Sequence, residues 1–112
     1  MARLGARTSL HAFHMKVPIK FRIEAVIEGK IDDKGWVAGV SAIDFKRDLE
    51  ALARELEYKG VAGELAKAGI KFVGMESLAR FFLKELNKRY PISYVQVWEG
   101  EDEFARVYVD EV

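Results

Sequence analysis

The side chains of this 112-residue chain that could do chemistry are few and scattered. There are two imidazoles, His11 and His14. Three residues apart on an extended segment, they point to opposite faces. A metal bound by either would need further ligands, for example from a neighbouring subunit. Cysteine is absent, which excludes disulfides, thiolate-held zinc and a thiol nucleophile. Glu99 closes an apolar segment and precedes an acidic turn, Gly100-Glu101-Asp102-Glu103. Glu76 and Ser77 open a helix-patterned segment, where a carboxylate meets unsatisfied N–H groups and the positive end of the helix dipole. Asp44 reads as a helix N-cap, with Ser41 as the other candidate. Tyr58, at the end of that helix, is an aromatic suited to packing and, secondarily, a proton donor. Lys16, Lys20 and Arg22 project from one strand face, interrupted by Glu24, which is the pattern of a solvated surface.

These residues are positioned by elements whose periods differ. From Val17 to Ile27 the odd positions are Val, Ile, Phe, Ile, Ala and Ile, and the even positions before Val26 are Pro, Lys, Arg and Glu. Alternation with period two is the pattern of a strand with one buried face. The segment from Arg3 to Phe13 is a weaker strand candidate that would pair with it. Gly29 to Gly35 reads as a turn, and Trp36 to Ser41 as a further strand. Phe45, Leu49, Leu52, Ala53 and Leu56 then fall on one face of a helix. Met75, Leu78, Ala79, Phe82, Leu83 and Leu86 do the same for a second helix, which ends before Pro91. Between them lie four glycines and a short helical turn near Glu64–Ala68. Ile92–Glu99 and Phe104–Val109 close the chain as two strands. The order β-β-α-α-β-β predicts an α+β domain spanning 1–112, an antiparallel sheet with two helices on one face.

Equal numbers of basic and acidic side chains, 18 of each, remove any global electrostatic argument for nucleic acid or an anionic membrane. Half of the residues are apolar, as in an ordered globular protein. No apolar run reaches the length of a membrane span, so the expectation is a cytoplasmic protein. The many Lys–Glu neighbours suit a thermophilic source. Phe81, Phe82, Trp36 and Trp98 are expected to fill the core or a subunit interface.

Four short segments, in this order and spacing, resemble the 6-pyruvoyltetrahydropterin and 6-carboxytetrahydropterin synthase family. They are Arg7-Thr8-Ser9-Leu10 leading to His14, Ile43-Asp44-Phe45, Met75-Glu76-Ser77-Leu78-Ala79, and Val97-Trp98-Glu99. The resemblance implies the tunnelling fold, a homo-oligomer built on a trimer or hexamer whose strands close a barrel, and a pterin or guanine-like ligand anchored by Glu99, with Glu76 and Ser77 at the pocket wall. It also implies what is missing. The family's zinc takes one His from the first strand, here at His14, and a His-x-His pair that falls on Val17-Pro18-Ile19. The loop bearing the catalytic Cys is deleted between His14 and Val17, and the catalytic Asp-His pair falls near Glu57-Tyr58. The expectation is therefore a divergent member with no metal, no cofactor and no inherited catalytic residue. A structural or partner-binding oligomer without a small-molecule site is the alternative.

Overall fold

The computed structural model describes residues 1–111 as β1 (Ala2–His14), β2 (Val17–Gly29), α1 (Ala42–Leu56), α2 (Val61–Lys67), α3 (Met75–Leu86), β3 (Ile92–Glu99) and β4 (Glu103–Tyr108), ending in a single 3-10 turn. The four strands form one antiparallel sheet in the order β1-β2-β3-β4. One face of the sheet packs on the helices. Leu10, Phe21, Ile23, Ile27 and Val95 from the strands are fully buried against Phe45, Leu49, Leu65, Leu78 and Phe82. The alternation read in β2 is the alternation of this burial.

On the helix-free face, one row of side chains crosses all four strands: Arg7, Glu24, Gln96 and Arg106 are successive register partners. Arg7 pairs with Glu24, and Arg106 donates to the Gln96 side chain at 2.6 Å. Arg106 also lies 4.1 Å from the centre of the Tyr94 ring. Opposite charges and a guanidinium over an aromatic ring at cross-strand positions tie the sheet together without an apolar layer.

The edge of β1 away from β2 is partly covered. Lys46 and Arg54 of α1 donate to the backbone carbonyls of Arg7 and Ser9, and farther along Tyr58 N donates to the His11 carbonyl and Phe13 N to that of Lys59. A side chain or a loop thus holds several of the edge groups of β1 between Arg7 and Phe13.

Several expectations change. Trp36–Ser41 is not a strand: it makes only isolated bridges, Ile31 with Val37 and Val37 with Val40. Gly35, Ala38 and Gly39 all take positive φ there, which curls the chain too tightly for a ladder. Ser41, not Asp44, caps α1, its Oγ accepting from Asp44 N at 3.4 Å, and Asp44 sits in the first turn, paired with Arg47. The helical turn foreseen at Glu64–Ala68 is the two-turn α2, so three helices rather than two cover the sheet. Lys16 is in the β1–β2 turn with φ +67, not on the strand face. Phe81 and Phe82 are core, whereas Trp36 is 43% exposed.

Candidate functional site

Glu99 is the last residue of β3, two positions beyond the fully buried Val97 and therefore on the same, helix-side face. Its register partners are Phe21 on β2 and Glu103 on β4. It is half-buried, and among the described residues no cation pairs with it. The other two glutamates of the central strands differ: Glu24 is held by Arg7, and Glu28 by Arg3 at 2.8 Å and by the Ser93 hydroxyl. Ser93 and Arg3 together outweigh the desolvation of Glu28 and lower its carboxyl pKa.

At the other end of the β1–β2 hairpin, His14 packs edge-on against Phe72, with ring centres 4.8 Å apart. Val17 is exposed, and Ile19 packs against the core with Phe72 and Met75. His14 pairs directly with Val17, so Met15 and Lys16 alone form the turn, both at positive φ. Glu76, in the first turn of α3, pairs with Arg80 at 3.0 Å. Ser77 is 2% exposed and its Oγ accepts from Val73 N at 2.9 Å, fixing the segment that enters α3. No hydrogen bond or ion pair joins Glu76 or Ser77 to Glu99 within the chain.

A cleft of about 560 Å³ opens elsewhere, over the edge of β1. Arg7, Ser9, Arg22, Arg54 and Trp98 line it, with Arg22 5.2 Å from the centre of the Trp98 ring. Glu99 is not part of its wall. Beside it lies a cluster that sequence reasoning did not assemble. Glu57 Oε2 accepts from the His11 backbone N–H at 3.0 Å, Glu57 Oε1 stands 3.3 Å from His11 Nδ1, and the Tyr58 ring stacks on the imidazole at 5.7 Å and 12°.

The model of the 6-pyruvoyl tetrahydropterin synthase family matches residues 2–110. The chain belongs to this family. The solved 6-pyruvoyl tetrahydropterin synthase of Caenorhabditis elegans superposes with a TM-score of 0.81 at 10% identity, over 96% of this chain and 94% of that one. At that identity the likeness establishes the tunnelling fold. The apo archaeosine synthase QueF-Like gives a TM-score of 0.49 at 14% identity, over 94% of this chain and 88% of that one. No curated protein sequence matches significantly.

In a 6-pyruvoyl tetrahydropterin synthase-like chain the donors near the β1–β2 hairpin are the point to test. A catalytic zinc takes three protein ligands with N, S or O donors. The positions to which the family resemblance assigns those ligands hold one imidazole packed on a phenyl ring and two aliphatic side chains. No group of three or more His, Cys, Asp or Glu side chains among the described residues is placed to hold a metal ion. This donor set does not fit zinc. No helix is long and apolar enough to cross a membrane.

Proposed function

We propose that this 6-pyruvoyl tetrahydropterin synthase-like protein works without the zinc-dependent lyase reaction and binds a pterin or guanine-like heterocycle through Glu99. The observation that carries the first half is the β1–β2 hairpin. Its connection is two residues long, Met15 and Lys16, where the family resemblance has a loop bearing the catalytic Cys. The unpaired Glu99 supports the second half. A carboxylate matches two adjacent N–H donors on a flat heterocycle, and such charge-assisted bonds are strong. A like-charged register partner, Glu103, makes Glu99 a poor choice for stability alone.

The site is completed in a homo-oligomer, built on a trimer or hexamer in a cytoplasmic setting. Glu76, exposed in the first turn of α3 and making no contact with Glu99 within one chain, forms part of the pocket wall from the neighbouring subunit, while the buried Ser77 fixes the segment that enters the helix. Calorimetric titration of the purified protein with biopterin, neopterin and guanine tests the reading. Saturable binding of one of them, with zinc well below one ion per chain by elemental analysis, is the expected result. Binding of none favours the structural module, and one zinc per chain overturns the metal-free half.

A further inference from the structure

We propose that His11 and Glu57 form a second reactive centre: an imidazole fixed by a carboxylate, with Nε2 presented to solvent as a nucleophile toward small activated acyl compounds. The centre is separate from Glu99. His11 is an odd-numbered β1 residue on the side of the sheet away from Glu99's face.

Three observations converge on it. The Glu57 side chain is 17% exposed, against 44% for the His11 side chain. Burial pushes the Glu57 carboxyl up, but hydrogen bonds from the His11 backbone N–H and ring, with the Arg54 guanidinium behind them, outweigh it and hold the group below its usual range. A carboxylate can only accept, so the ring nitrogen facing it carries the proton. Nδ1 is thus the N–H, and the lone pair of the neutral ring is on Nε2, which makes no hydrogen bond to any described residue. The backbone is strained at the same place. Tyr58 takes φ +58, an uncommon conformation for a residue with a side chain. Its N–H donates to the His11 carbonyl at 2.6 Å, and its ring lies parallel to the imidazole. Finally, Arg54, 3.7 Å from the Glu57 carboxylate, also lines the 560 Å³ cleft, whose wall stops short of His11 and Glu57 and so offers a small molecule a docking place next to the dyad.

The reaction is balanced as follows. The Nε2 lone pair forms a bond to the acyl carbon as the bond to the leaving oxygen breaks, and that oxygen departs with the electron pair. The ring becomes an acyl-imidazolium, whose charge faces Glu57. Water then cleaves the N–acyl bond, releasing the acid and a proton and restoring Nε2. Glu57 acts as a positioning residue, and His11 is the group that reacts. The charged or titratable groups around the ring are Glu57 and Tyr58 at the end of α1, Arg54 on α1 and Lys20 opposite on β2.

The test uses p-nitrophenyl acetate with the intact protein. His11→Gln should lower the hydrolysis rate at least about tenfold, and Glu57→Gln by about three- to tenfold, less than the roughly 10²–10⁴-fold of a group that itself moves the proton, as suits a positioning residue. Glu57→Asp should recover part of the loss, and His14→Gln should leave the rate unchanged. Nitrogen NMR of the unmodified protein should find His11 protonated at Nδ1 when neutral, and Glu57→Gln should give mixed tautomers. Should His11→Gln fail to fold, the native protein still decides the matter: diethyl pyrocarbonate should modify His11 ahead of His14, read by peptide mass. Equal contributions from the two histidines, or a His11 ring protonated at Nε2, overturns the proposal. Neither outcome bears on pterin binding, which is measured separately.

Discussion

Glu99 and Glu103 face each other as register partners across β3 and β4, at the mouth of the acidic turn that joins the two strands. Like charges directly opposite in an antiparallel pair destabilise it. Replacing Glu99 by Gln removes that repulsion and should raise stability by about 0.2–1 kcal/mol in thermal or denaturant unfolding. The same change puts an amide donor against a ligand donor. Affinity for the pterin or guanine-like ligand should fall about 30- to 1,000-fold, a loss of about 2–4 kcal/mol. A variant that is less stable, or that binds unchanged, removes Glu99 from the anchor role.

Ser77 gives a contrasting case. Its buried hydroxyl accepts from Val73 N, just before the N-cap Gly74, and so ties the entering chain to the first turn of α3. Ser77→Ala leaves that N–H without its partner and should cost about 1–2 kcal/mol. Hydrogen exchange should speed up in 70–76 while β2 stays protected. Loss of protection across the whole chain would contradict this local role.

The Tyr90–Asp48 pair predicts two pH limits. The Tyr90 hydroxyl donates to Asp48 Oδ2. That bond is the main reason the Asp48 carboxyl lies below its usual value; burial opposes it, and Arg47 and Arg89 assist. A carboxyl pKa depressed by folding adds stability above the unfolded value, and that stability is lost as pH falls through the folded one. For Tyr90, burial first and the Asp48 bond second push the phenol from 10.0 up to about 12. A raised pKa adds stability that is complete below pH 10 and is lost as pH climbs from 10 through 12. Tyr90→Phe should cost about 1–3 kcal/mol at neutral pH and flatten both limbs of the stability profile. An unchanged alkaline limb would assign it to another group.

Light scattering at micromolar concentration should find a mass of three or six chains. β1 and β4 are the two edge strands of the sheet, and a closed ring of subunits would pair them. A monomer would sink both the assembly and a pocket completed by a neighbour.

Legibility in the sequence followed the strength of local pattern. β2 was plain because its alternation is strict, and α1 and α3 because each repeats apolar residues over three turns or more. β1 was fainter: Ala2, Ala6 and Ala12 supply little contrast, yet it extends over 13 residues because β2 gives it a full-length partner. Trp36–Ser41 had strand-like residues, but the left-handed Ala38 between two sheet-forming valines reversed the chain. Gly29 is part of the same device, since a Cβ there would stand 2.9 Å from that of Ala38. Glu99 stood out by its position in a family-like segment. The His11–Glu57 contact did not, because 46 residues separate the partners and only the docking of α1 on β1 brings them together.

The hold of Lys46 and Arg54 on the β1 carbonyls has a consequence for the newly made chain. A lone copy leaving the ribosome would otherwise carry a long open strand through a crowded solution, free to recruit any extended segment it met. With two of its acceptors already engaged from its own helix, a stray peptide must first displace a charged side chain at each. A partner strand pairing along β1 would gain many bonds and could bear that exchange, whereas a chance encounter could not. The two cations would thus raise the threshold for any strand that joins the sheet at β1.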